Sequence, residues 1–348
     1  MAQQDTTPLP SGERPGGTAA DVLSENQRCL HLPSGKLFRH DQNHSYTSDD
    51  EGASWNPGGQ LSNYGGIGVT MDRVAIQLQQ GAHRDRIVIP FYLEMAGNHP
   101  DYSRQQRGGY ATWRGEQMLL ETHTHVPEMA GTYMNFSDDE GQTWQHSKGF
   151  VMGYFEHGHL GHWSCEEPVV AELADGRLLC FIRSTTGRIL KSYSSDGGES
   201  WTLVEATDLA MSNSPCRLDR IPGSDDLLLV WNQMSAAEIR CGYRRGRLSV
   251  AISRDHGETW ENFKTLIQSP GVESVTRVEP PPLSAMVRGG CGPEEPMGEL
   301  PDDFTHYHYH EVYFSDDAKT VFVFIRVSAA VGSIEPIWCN FSTAWLYE

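Results

Sequence analysis

Short stretches of alternating apolar and polar residues recur along this chain, each about the length of one strand. Thr132–Phe136, Arg188–Tyr193 and Leu248–Ile252 are three of them, and each runs into the same eight-residue pattern, S-x-D-x-G-x-[ST]-W. The pattern occurs four times, at Ser48–Trp55, Ser137–Trp144, Ser194–Trp201 and Ser253–Trp260. Its residues spell a hairpin turn. Ser and Asp side chains bond nearby backbone N–H groups, Gly supplies a positive φ, and the closing Trp anchors the turn on a sheet.

The spacing of the turns sets the architecture. The Asp residues at the third position are Asp50, Asp139, Asp196 and Asp255, separated by 89, 57 and 59 residues. The last two separations define a unit with room for four short strands and their loops. The first is too long for one unit and too short for two, so an insertion is expected between Trp55 and Ser137. Four-stranded units repeated radially make a β-propeller. Residues 1–22 read as a polar, Pro- and Gly-rich disordered tail, and residues 23–348 then divide into six blades of roughly 54 residues. The expected fold is an all-β, six-bladed β-propeller of four-stranded antiparallel blades, in one domain.

Composition narrows the partners. The net charge of −19 argues against nucleic acid and anionic membrane surfaces. No apolar run approaches the ~18–20 residues of a membrane span. The first residues show no apolar leader segment, so a cytoplasmic location is the expectation. Seven Cys at irregular spacing do not suggest a disulfide framework. Fifteen His invite a metal reading, chiefly His157, His159 and His162, and His306, His308 and His310, which alternation would put on one strand face. No carboxylate or Cys completes a ligand spacing, so no metal is expected; His123 and His125 are treated likewise. The acidic, Pro-rich run Glu273–Phe304, with Cys291 inside it, reads as a long insertion before the last blade.

One hairpin stands out. Glu167–Arg183 contains a turn at Asp175-Gly176 between two strand-like runs. An antiparallel hairpin returns its ends to one place, so Glu167 and Arg183 should lie side by side at one rim, with Glu166 pointing to the other face. Arg245 lies 62 residues after Arg183, close to one blade, and so should take a nearly equivalent place on the next blade.

The four boxes and the Glu167–Arg183 stretch resemble the sialidase (neuraminidase) superfamily over about residues 25–348. The resemblance implies a six-bladed propeller whose boxes sit between third and fourth strands, away from the catalytic face. It implies an exo-glycosidase that removes a terminal sialic acid or related acidic sugar from a glycan, without a cofactor. It makes Glu167 the glutamate that assists the nucleophile, and Arg183 and Arg245 two arms of a carboxylate clamp, a task suited to the planar guanidinium; Arg244 and Arg247 are close enough to replace Arg245. The nucleophile it implies is a Tyr, for which Tyr309 aligns best, with Tyr307 and Tyr313 as alternatives. The superfamily's F-R-I-P segment, which carries a third arginine, is absent; Arg28 or Arg39 could stand in by position. Asp41 is the candidate acid/base, being the one Asp between Asp21 and the first box. Ser214 and Arg217, in Ser212–Arg217, are candidates for contacts with sugar hydroxyls, and a capping loop reads equally well there. The alternatives are a hydrolase of this fold acting on another sugar, and a non-catalytic glycan-binding propeller.

Overall fold

The computed structural model describes residues 23, 26–65, 68–94, 110–113, 116–119, 130–154, 162–163, 165–184, 186–235, 237–238, 243–280, 300–329 and 336–348. They form an all-β propeller. Five antiparallel sheets of three or more strands are present among them. The first holds Leu30–His31, Leu37–His40, His44–Ser48 and Asn56–Gln60. In the second, Ala130–Ser137 pairs with Ile87–Glu94, flanked by Gln145–His146 on one side and by Gly68–Val69 and Ile76–Gln77 on the other. The third is Glu166–Glu172, Leu178–Arg183, Arg188–Ser194 and Glu205–Ala210, and the fourth Arg217–Arg220, Leu227–Trp231, Arg247–Ser253 and Glu261–Gln268. The fifth is Thr305–Phe314, Thr320–Ala329 and Ile337–Ser342. Glu166–Glu172 packs against Ile87–Glu94 of the second sheet and against Arg217–Arg220 of the fourth, and the latter packs against Thr305–Phe314. Arg28, ahead of the first sheet, bonds Glu311 on the fifth and so closes the ring.

The insertion expected after Trp55 falls in sequence between Ile87–Glu94 and Ala130–Ser137, paired neighbours of the second sheet, and its described residues form the hairpin Tyr110–Trp113/Glu116–Leu119. The tail 1–22, His123, His125, His157, His159 and Cys291 lie outside the described residues.

The boxes form one turn four times over. In each, the Gly N–H donates to the Ser hydroxyl at 2.8–2.9 Å, and the Asp carboxylate takes the backbone N–H of the Ser or Thr before Trp at 2.8–2.9 Å. The box Gly residues have φ of 83–92° and each follows another left-handed residue, a pair of positions that L side chains adopt only under strain. Every box lies between the last two strands of its sheet. Each of the last three boxes also braces the sheet before it. Gly141 O accepts from Ser45 Oγ and Gly59 N, both at 2.7 Å. Arg86 reaches Gly197 O, and Lys191 reaches Glu258.

The core is the inter-sheet filling, where Phe38, Phe91, Tyr133, Phe181 and Trp231 are each at most 1 % exposed. Burial of such side chains, at about 25 cal/mol per Å² of apolar surface, is the main force holding the ring. No helix among the described residues is long and apolar enough to cross a membrane.

Candidate active site

The Glu167–Arg183 hairpin forms as its sequence dictates, with Gly176 at φ 82° in the turn. Its open end is irregular: Glu166 pairs with Arg183, and the register then shifts before Val169. Glu167 sits in that bulge with φ 40°, a left-handed value costly for a side chain of its size. The bulge brings both carboxylates to one guanidinium. Arg183 Nη1 donates to Glu167 Oε2 at 2.5 Å, and Arg183 Nε lies 3.7 Å from Glu166 Oε2. The expectation that Glu166 points to the other face is therefore corrected, because strict alternation fails across a bulge. Arg183 is only 4 % exposed. Burial works against its charge, but the Glu167 and Glu166 carboxylates outweigh burial and hold its pKa above the ordinary value.

Tyr309 comes to the same place from the fifth sheet. The strand Thr305–Phe314 breaks register between His308 and Glu311, and Tyr309 adopts φ 48° there. The kink turns the phenol toward the third sheet, where its hydroxyl donates to Glu167 Oε1 at 3.2 Å. Burial, then the Glu167 charge, raise the Tyr309 pKa, against the lowering pull of Arg245 and Arg183. The phenol is thus neutral at rest.

Arg245 completes the group from a turn ahead of Arg247–Ser253, at φ 55°. Its guanidinium carbon lies 5.5 Å from the centre of the Tyr309 ring. Nη1 meets His308 Nδ1 at 3.3 Å, and Nη2 donates to the Asn213 carbonyl at 3.2 Å. An arginine can only donate, so His308 Nδ1 is the acceptor and its proton is on Nε2. Burial, then Arg245, lower the His308 pKa to about 4. Burial and the neighbouring Arg183 lower that of Arg245. Asn213 links the two arginines, since its side-chain oxygen accepts from Arg183 Nε at 2.5 Å.

Glu167 and Tyr309 face a cavity of about 270 Å³, also lined by Thr70, Asp72, Tyr92 and Arg326. Asp72 is the exposed carboxylate of this cavity and pairs with Arg326 at 3.2 Å. Sequence reasoning missed Asp72, Arg326 and Asn213, and weighed His308 only as a metal candidate. No motif marks the first two, whereas Asn213 sits beside the flagged Ser214, and His308 beside Tyr309.

Other expected residues lie elsewhere. Asp41 caps the turn between the second and third strands of the first sheet, accepting from Asn43 N, His44 N and the Tyr46 hydroxyl at 2.7–2.8 Å. Despite some burial, those bonds hold its carboxyl below the usual range, the wrong direction for an acid. Ser214 is fully buried, with its hydroxyl against that of Ser212, so it cannot touch a sugar. Arg217 does line the cavity, but its three nitrogens donate to the carbonyls of His310, Arg73 and Asp72. Tyr307 packs into the core, and Arg247 is fully buried against Glu238 at 2.7 Å. Tyr313 bonds Glu311, which also takes Arg28 at 3.1 Å, in an adjoining cavity of about 490 Å³. Arg39 lies over the Trp55 ring at 4.1 Å. The bulge separates the His residues of this strand: His310 turns into the core and donates to the Val230 carbonyl at 2.7 Å. Among the described residues no group of three or more His, Cys, Asp or Glu is placed to hold a metal ion.

The chain matches a family model described as BNR repeat-like domain over residues 24–319. No curated protein matches it. Solved structures that resemble it include the intramolecular trans-sialidase from Ruminococcus gnavus, at 15 % identity and a TM-score of 0.47, covering 87 % of this chain and 50 % of that one. The leech intramolecular trans-sialidase is 16 % identical with a TM-score of 0.47, covering 87 % of this chain and 36 % of that one. Trypanosoma rangeli sialidase is 13 % identical with a TM-score of 0.40, covering 92 % and 58 %. The chain thus spans half or less of the first two proteins.

Proposed function

The chain belongs to the BNR repeat-like family, and from that premise we propose that it is an exo-glycosidase on a six-bladed propeller, removing a terminal acidic sugar from a glycan. A sialic acid or related nonulosonic acid is the first substrate to test. The observation that carries the reading is the Tyr309 hydroxyl, 3.2 Å from the Glu167 carboxylate and flanked by Arg183 and Arg245.

Tyrosine is an unusual glycosidase nucleophile, suited to sugars whose reacting carbon already bears a negative group. A neutral phenol meets no repulsion there, and the raised pKa of Tyr309 keeps it neutral. In the first step the phenol oxygen bonds to the anomeric carbon and its proton passes to Glu167 Oε1, while the bond to the leaving oxygen breaks. Asp72 protonates that oxygen. In the second step Asp72 takes a proton from water, whose oxygen bonds to the anomeric carbon as the bond to Tyr309 breaks; Glu167 returns its proton to the phenol oxygen, and the sugar leaves with its configuration retained. Arg183 and Arg245 stabilise the charge that develops at the phenol and at the sugar carboxylate.

The test is turnover of a fluorogenic sialoside by wild type, Tyr309→Phe and Glu167→Gln, with a fluorinated glycosyl fluoride to trap the intermediate. Turnover that collapses in both variants, and a sugar mass increment on the peptide holding Tyr309, are the expected results. Absence of wild-type turnover between pH 4 and 8 rejects the reading. The burial of Arg183 beneath Glu167 favours a second reading, in which the arginines hold the Tyr309–Glu167 pair and the sugar is neutral. Faster turnover of neutral glycosides than of acidic ones would select it.

A further inference from the structure

We infer that Arg217 is a positioning residue that holds the proton donor and the nucleophile of this site in one register, an inference that rests on the proposed roles of Asp72 and Tyr309. Arg217 opens the first strand of the fourth sheet. Its Nε donates to His310 O at 2.8 Å, Nη1 to Arg73 O at 3.0 Å and Nη2 to Asp72 O at 2.8 Å. The acceptors come from two other sheets. Asp72 and Arg73 belong to the segment between Gly68–Val69 and Ile76–Gln77 of the second, and His310 to the first strand of the fifth. One planar fork thus joins three sheets beneath the cavity.

All three acceptors are main-chain carbonyls, so the fork fixes backbone. The pinned peptides belong to, or adjoin, the residues of the proposed chemistry, Asp72 itself and Tyr309 next to His310. Both segments are strained where they are pinned, with Arg73 at φ 56° and Tyr309 at φ 48°. Such conformations persist only where their surroundings over-determine them. The Asp72 carboxylate itself pairs with Arg326, an exposed contact worth little in holding a position. The reach of Asp72 to a leaving oxygen therefore depends on the backbone that Arg217 holds. Lysine could not substitute, because a point charge on a flexible stem does not meet three acceptors in one plane.

The test uses Arg217→Lys and Arg217→Met, with two glycosides of one sugar, one releasing a nitrophenolate and the other a simple alcohol. A poor leaving group needs its proton in the transition state, and a misplaced donor costs about 100-fold. We expect kcat to fall about 100-fold with the alcohol and roughly 10-fold or less with the nitrophenolate, with little change in KM. Equal losses on both substrates overturn the donor half of the inference, and a loss confined to KM overturns it whole. Hydrogen exchange reads the same role without turnover. Amides of residues 70–75 and 308–311 should exchange faster in the variants while the four box turns keep their protection, and unchanged exchange in those segments overturns the inference. If wild type cleaves no glycoside, the glycosidase reading falls, and exchange alone decides whether Arg217 holds the two segments. Should Arg217→Met fail to fold, Arg217→Lys, which keeps the charge and stem, carries both measurements.

Discussion

Replacing Glu167 by Gln separates two tasks that one carboxylate performs. Oε2 takes Arg183 Nη1 at 2.5 Å and Oε1 takes the Tyr309 hydroxyl at 3.2 Å, in a side chain of a residue 6 % exposed. Gln keeps the shape but has one acceptor and one donor. With its oxygen toward Arg183, its amide nitrogen meets the phenol and no base remains. With its nitrogen toward Arg183, two donors face each other. In either orientation the buried guanidinium loses its nearest negative charge. Removing one partner of a buried pair costs about 3–5 kcal/mol. Here Glu166, 3.7 Å from the same guanidinium, offsets part of that, which puts the expected loss at about 2–3 kcal/mol. Loss of a positioned base lowers kcat by about 10²–10⁴. Urea unfolding measures the first effect and steady-state turnover the second. In an Arg183→Met background the stability cost of Glu167→Gln should drop below about 1 kcal/mol, because the charge it served is gone. A Glu167→Gln protein that unfolds at the wild-type urea concentration would refute the buried-pair argument, and one that keeps full turnover would refute the base.

Four further changes probe other parts of the molecule. Asp72→Asn should lower kcat most on substrates with poor leaving groups, whereas Asp41→Ala should leave turnover intact and cost about 1 kcal/mol in urea unfolding through the lost turn bonds; the reverse outcome would restore Asp41 as the acid. Asp219 lines the adjoining cavity and has one carboxylate oxygen buried without a partner, and burial raises its pKa to about 6. A raised carboxyl pKa favours the folded state while the group is protonated, and that advantage is lost as pH rises through about 6. Asp219→Asn should therefore stabilise the protein by on the order of 2 kcal/mol at pH 8 and by almost nothing at pH 3.5, and equal unfolding midpoints at pH 8 count against it. Asp139→Ala removes the acceptor of Ser137, Thr143 N and the Thr143 hydroxyl; it should cost about 1–2 kcal/mol with kcat unchanged, since the box lies away from the cavity.

The all-β propeller was legible because the box turn depends on local chemistry: Ser, Asp, Gly and Trp act within eight residues, so pattern and structure coincide. Glu167 and Arg183 were legible for the same reason, as the two ends of one hairpin. Tyr309 came from the resemblance. The misses share a cause. Glu166 defeated simple alternation because a bulge reorients consecutive side chains, and bulges leave no reliable mark in one sequence. Asp72 and Arg326 meet from different sheets, and no local pattern reports a contact between residues 254 positions apart. Arg217 was placed at the right mouth but with the wrong partners, since residue type shows what a guanidinium can bond and not that main-chain carbonyls will occupy it. Ser214 and Asp41 were chosen for exposure-dependent chemistry, which their bonds to neighbouring protein groups deny them.

The bracing of each sheet by the box that follows it has a consequence for how the protein is made. A blade emerging from the ribosome has its strands and its own turn, yet the contact that secures its outer edge belongs to a segment not yet synthesised. Gly141 O, which takes Ser45 and Gly59, emerges 96 residues after Ser45 and 82 after Gly59. The smallest stable piece is therefore a joint between two sheets, and stability accrues one sheet behind synthesis. Ring closure through Arg28 and Glu311 waits for the fifth sheet, so the earliest and latest segments of the ring become native together.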